Sequence, residues 1–312
     1  MSLPPSEDVE GHPGAQLRDG PNDRDTSSAL IGAFCVGGAA VLWALIGIFT
    51  KHLNGNGVRA VDIAWWRASG AGCLFVLNLK VIGGRLTVPR REVLPLVGFA
   101  GVGVSIFYFA LPAAVLEGGV TVAYVLLYTA PIWVVVGHVV MTRRPPSRVA
   151  STSVLIGTAG VIAVVLGSSG NARLTPLAVA LGLCAGLSYS AYYLVGSGLF
   201  LRLGPTQVYA VALCVGSIPL GIAAGFSLPS GSEWMWVGAL CLVSTWLPYV
   251  LLGEGLRRLS PVRSVIIANL EPVVAACLAA VLFGERLGMI AIIGAVLVVA
   301  ASMLSSLGAE QV

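Results

Sequence analysis

Residues 266–287 read IIANLEPVVAACLAAVLFGERL, and from Ile266 to Phe283 the sole charged side chain is Glu271, followed at once by Pro272. An α-helix crosses the hydrocarbon core of a bilayer with about 20 predominantly apolar residues. Segment 262–283 has that length and that character. Working outward from it, segments 29–50, 60–82, 93–116, 121–141, 151–167, 176–199, 207–226, 234–256 and 289–307 approach or meet the same requirement. The expected fold is an all-α integral membrane protein with ten transmembrane helices and no soluble domain, joined by connections as brief as Glu117–Val120 and Gly284–Gly288.

Composition supports this. Hydrophobic residues make up 57% of the 312 and charged residues 10%, and mean hydropathy is +0.91. A soluble chain carries about 25% charged residues, so the solvent for most of this one is the lipid bilayer. Residues 1–28 hold six acids against Arg18 and Arg24 and are rich in Pro, Gly, Asp and Ser. That composition predicts a disordered cytoplasmic tail. No continuous basic face with interleaved aromatics exists, which argues against a nucleic-acid partner. The six cysteines stand alone in apolar runs, so neither disulfide, metal nor cofactor is expected. A P-loop is absent, and with it any motif for ATP.

Loop charges set the orientation. Of the 18 Lys and Arg residues, Arg67 lies within a span; Lys51, Arg59, Arg173 and Arg286 fall on one side and the other thirteen on the opposite side. The positive-inside rule then puts both termini in the cytoplasm. An internal repeat is visible as well. A shift of 140 lays Val97-Gly98 on Val237-Gly238, Ser105 on Thr245, Phe109 on Tyr249 and Leu116 on Leu256, and a shift of 141 lays Pro131 on Pro272. Two halves result, 29–167 and 176–307, of five helices each. Five is odd, so the halves enter the membrane in opposite senses. Inverted repeats of this kind carry a solute site between the halves, near the midplane.

Polar groups inside the bilayer are the natural site candidates, because each costs a few kcal/mol unless paired or hydrated. Glu271 lies near mid-helix, where it would hold a proton or a cationic group of a solute, or pair with a neighbouring helix for packing. Pro272 removes a backbone donor and should free the carbonyl of Ala268. Its repeat mate Pro131 does the same for Leu127. Tyr124, Tyr128, Pro131 and His138 follow an i, i+4, i+7, i+14 spacing, one face of a continuous helix, and are expected to line a cavity. Arg67 would either attract an anionic group or snorkel outward as an anchor. Trp65 and Trp66 beside it suit an interfacial belt. Trp43, Tyr189, Tyr192 and Tyr193 sit in the cores of the first helices of each half, as cavity walls or as packing. Glu254 has Arg257 and Arg258 at i+3 and i+4, a structural pairing. Gly98, Gly101, Gly103, Gly157 and Gly160 read as sites of close helix approach. His12 and His52 lie outside the spans, so an intramembrane enzyme would lack converging nucleophiles, metal ligands or paired carboxylates.

With these residues in view, the chain resembles the drug/metabolite transporter superfamily, EamA type. The resemblance rests on 266–287, with Glu271-Pro272 in mid-helix and Gly284-Glu285-Arg286 at its end, on VAYVLLYTAPIWVVV (122–136), and on VDIAWWRASGAG (61–72), where an arginine such as Arg67 is usual. The first half departs from the pattern at Thr142-Arg143-Arg144, where a glutamate is common. The resemblance implies a secondary transporter whose central cavity is lined by the first, third and fourth helices of each half. The expected cargo is a small metabolite, an amino acid or related compound, exported across the plasma (inner) membrane with protons as the candidate coupling ion. Drug or amine efflux on the same fold is the alternative.

Overall fold

The computed structural model describes residues 23–167, 173–283 and 288–307. Most of the expected tail and the Gly284-Glu285-Arg286 motif lie outside the described residues. Everything described is helical or a short connection. In chain order the helices are α1 (Asp23–Ala44), α2 (Ile46–Gly55), α3 (Ala60–Val81), α4 (Arg90–Phe99), α5 (Phe107–Leu127), α6 (Ala130–Thr142) and α7 (Arg148–Gly167). There follow α8 (Pro176–Leu203), α9 (Pro205–Ala224), α10 (Glu233–Cys241), α11 (Leu247–Leu256), α12 (Pro261–Ala268), α13 (Leu270–Phe283) and α14 (Met289–Leu307). Helix α1 begins at Asp23, inside the stretch expected to be tail. Acidic residues such as Asp23 and Asp25 favour a helix N-terminus through the helix dipole.

Among the described residues, eight helical stretches are long and apolar enough to cross a membrane, and Ala130–Thr142 and Met289–Ser305 are shorter apolar helices. The third stretch, Arg90–Leu127, spans 38 residues, more than one crossing needs. It is broken at Gly119 (φ 84°, ψ 166°), a conformation closed to residues with a Cβ. The expected connection Glu117–Val120 is this break. The chain is a multi-pass membrane helical bundle.

Its surface is the reverse of a soluble protein's. Phe34 and Leu94 are each 80% exposed, and Val81, Leu116 and Val281 project outward with them. Serines and tyrosines are buried instead, among them Ser153, Ser190, Ser244, Tyr128 and Tyr193. An apolar exterior of this extent suits lipid, where every backbone group must be satisfied within its helix.

Helices of the two chain halves interlock: α1 packs on α11, α3 on α9, α5 on α8 and α7 on α14. The α7–α14 crossing is the tightest. A Cβ on Gly160 would lie 2.9 Å from the Gly294 carbonyl oxygen. Of the glycines read as close-approach sites, Gly160 serves that purpose, Gly103 lies close against Phe99 and Gly157 in ordinary contact with Ala301, whereas Gly98 and Gly101 face open space.

Two π-helical stretches interrupt the bundle, Ala100–Ile106 between α4 and α5 and Leu242–Trp246 between α10 and α11. Each holds one hydroxyl that bonds back five residues: Ser105 to the Ala100 carbonyl at 3.4 Å, and Thr245 to the Leu240 carbonyl at 3.0 Å. These are the two residues aligned by the 140-residue shift. Helix breaks recur in the same way. Helix α5 ends at Leu127 and α6 begins after Tyr128 and Thr129, with Pro131 in its first turn; α12 ends at Ala268 and α13 begins after Asn269, with Pro272 in its first turn. A proline suits a first turn because its missing N–H has no intrahelical acceptor there.

Candidate functional site: a tyrosine-lined interior with one cation and one anion

Those breaks and π-turns converge on the centre of the bundle. The expected single helix 262–283 is in fact α12 and α13, divided at Asn269 (ψ −5°). Glu271 therefore stands in the first turn of α13 rather than in the middle of an unbroken helix. Helix 121–141 is likewise divided at Tyr128–Thr129. The Tyr124–His138 stripe consequently does not continue across: Tyr124 and Tyr128 precede the break, and His138 lies past it in the second half of α6.

All eight tyrosines of the chain belong to one interior group. At one end the Tyr108 and Tyr249 hydroxyls are 2.9 Å apart, and Tyr249 donates to the Tyr192 hydroxyl at 3.0 Å. The Tyr209 and Tyr249 rings stack with centroids 4.8 Å apart. At the other end Tyr193 donates to the Tyr189 hydroxyl at 2.8 Å, and Tyr124 and Tyr128 pack at 6.0 Å. Trp43 joins the ends, edge-on to both Tyr189 at 6.3 Å and Tyr249 at 5.8 Å. Buried tyrosines need partners for their hydroxyls, and here they largely serve one another.

Each end carries one charge. Arg67, reaching in from α3, donates from Nε to the Thr245 hydroxyl at 2.9 Å and lies 4.8 Å from the Tyr108 ring centroid, a cation–π contact. The anchor reading of Arg67 is thus replaced by an inward one. Its two terminal nitrogens have no hydrogen-bond partner among the described residues. Glu271 lies near the Tyr128 hydroxyl and close enough to Arg67 to interact electrostatically. Around them Trp43, Tyr128, Tyr192, Tyr193 and Tyr249 are buried, yet Arg67 and Glu271 stay partly accessible to a water-sized sphere. Each charge borders accessible space inside the bundle, the candidate chamber. Pro131 and Pro272 are buried at its helix breaks.

Outside the chamber, a second network closes one end of the bundle. Asp62, buried, takes a bidentate bond from Arg59 (2.7 Å twice) and another from the Ser227 hydroxyl at 2.6 Å. The bond to Asp62 raises Arg59 above the usual arginine pKa. Both Trp65 and Trp66 donate from the indole to the Ser227 carbonyl, at 3.1 and 2.7 Å. The belt expected of these tryptophans is a clasp between α3 and the α9–α10 connection. At the opposite end Arg202 bonds the buried Glu92 at 2.9 Å, and Glu254 pairs with Arg257 and Arg258 as its spacing predicts.

Sequence reasoning missed Tyr108, Tyr209, Thr245 and Tyr249 as site residues. A signal for one pair was present: the 141-residue shift that joins Pro131 to Pro272 also joins Tyr108 to Tyr249, the pair bonded at the centre.

A tyrosine-lined interior carrying two opposed charges, inside a lipid-facing bundle, suits a membrane transporter of small molecules. The sequence belongs to the EamA-like transporter family, whose model matches residues 30–166 and again 176–307. That family comprises transporters, not enzymes. An uncharacterised transporter of Archaeoglobus fulgidus is 27% identical over 271 residues, covering 86% of this chain and 93% of the relative. The threonine/homoserine exporter RhtA of Salmonella typhimurium is 30% identical over 232 residues, 72% of this chain and 74% of its own. A solved crystal structure at 18% identity superposes with a TM-score of 0.75, covering 89% of this chain and 97% of that one, which shows a shared fold.

Proposed function

We propose that the protein is a secondary exporter of amino acids or related small metabolites across the plasma membrane, working by alternating access around the Arg67–Glu271 chamber. The observation that carries this reading is Glu271: a half-buried carboxyl in the first turn of a broken helix at the tyrosine-lined interior. Broken helices at the midplane are where such carriers hold solutes and coupling ions. The resemblance to a threonine/homoserine exporter supports the substrate class and the outward direction.

The chain crosses the membrane ten times, as two five-helix halves of opposite sense with both termini cytoplasmic. Two matches of one family model to successive stretches, and paired π-turns and proline breaks, support the repeat. The thirteen-to-four distribution of basic residues supports the orientation. In that orientation the Asp62–Ser227 clasp lies at the outer end, and outward opening requires it to part. A proton on Glu271 neutralises the chamber's one acid, and its arrival from outside would exchange for solute leaving the cell.

The test is efflux and uptake by the purified protein in vesicles, with a panel of amino acids and amines, with and without a pH gradient. Gradient-dependent movement of amino acids is the expected result. Movement of hydrophobic amines alone would transfer the protein to drug efflux.

A further inference from the structure

We propose that the chamber reads its solute as a dipole, with Arg67 taking the carboxylate and Glu271 the ammonium group of an α-amino acid. The inference rests on the transport reading above and names the feature by which the site selects. Arg67 on α3 and Glu271 on α13 each border accessible space of the candidate chamber and interact electrostatically, and the described residues put no other charged group against its tyrosine walls.

Arg67 is fixed for this role and not consumed by it. Its Nε is held by Thr245 and its plane rests near Tyr108, while both terminal nitrogens are left without protein acceptors. Two N–H groups in a fixed fork match the two oxygens of a carboxylate. Thr245 in turn is aimed by the π-turn, through its own bond to Leu240. Glu271 has no cation bonded to it among the described residues, and Arg67 influences it only electrostatically. A small zwitterion between the two would neutralise both charges at once. A lone amine would leave the guanidinium without a counter-ion, and a lone carboxylate would leave Glu271 so, each a desolvation penalty that a low-dielectric interior does not repay. Discrimination therefore comes from the group left unpaired rather than from the one bound.

The experiment is solute exchange in vesicles without a pH gradient, using one neutral amino acid, its methyl ester and its N-acetyl derivative. The amino acid should exchange at least tenfold faster than either blocked form. Arg67→Gln should lower amino-acid exchange at least tenfold while narrowing the gap to the ester, and Arg67→Lys should restore part of the loss. The size-exclusion profile and melting temperature of each variant establish that it folds. Equal exchange of all three compounds, or an Arg67→Gln variant that folds and discriminates like the parent, overturns the dipole while leaving transport standing. Exchange of none of the amino acids, esters or amines overturns the transport reading itself.

Discussion

The central arginine and tyrosines are set by bonds that single substitutions can remove. Thr245→Val deletes the hydroxyl that holds Arg67 Nε. Its expected effect is a rise in KM for the transported solute of several-fold with little change in melting temperature, since a net hydrogen bond contributes about 1 kcal/mol. Tyr249→Phe removes the hydroxyl shared by Tyr108 and Tyr192. Two buried hydroxyls then lose a partner, so detergent-solubilised protein should lose about 1–3 kcal/mol of stability, read by thermal unfolding. An unchanged melting temperature would remove Tyr249 from the network. At this scale the sequence was partly legible. Glu271 and Arg67 stand out because charge is rare in an apolar helix, and Trp43, Tyr124, Tyr128 and Tyr189 because rings interrupt aliphatic runs. Tyr249 and Thr245 do not stand out, because their importance comes from partners on other helices, which spacing along one helix does not encode.

Helices here depart from regularity where the chamber requires it. The positions of Pro131 and Pro272 announce breaks, but the direction of the effect does not follow from the proline alone. Each starts a new helix instead of kinking an old one, which separates His138 from Tyr128 and puts Glu271 in a first turn. The π-turns leave no composition signal, since AGVGVSI and LVSTW read as ordinary helix. Elsewhere small residues predict contacts well. Gly160→Leu would drive a side chain into the Gly294 backbone of α14. Overpacking of this kind costs about 1–3 kcal/mol or more, so the variant should express poorly or melt several degrees lower, whereas Gly98→Leu, facing open space, should melt like the parent. Asp62→Asn weakens the clasp between α3 and the α9–α10 connection. Accessibility of a cysteine placed at Ala224, which is buried beside the clasp, probed from outside with a membrane-impermeant thiol reagent, should increase in that variant.

For the molecule as a whole, hydropathy and loop charge settle the class, because ten apolar runs in a chain with 10% charged residues admit no water-facing fold. How the halves interlock was not legible, since helix-to-helix partners depend on shape across the interface and the repeat retains few identities. In the proposed function Glu271 links the proton gradient to the solute. Glu271→Gln keeps size and hydrogen bonding and removes the charge. Reconstituted at equal density with the parent, it should insert and fold normally, yet lose the accumulation of solute that an imposed pH gradient drives. Residual exchange at equilibrium is expected to be slower and insensitive to pH. Full gradient-driven accumulation by a folded Glu271→Gln protein would contradict the account.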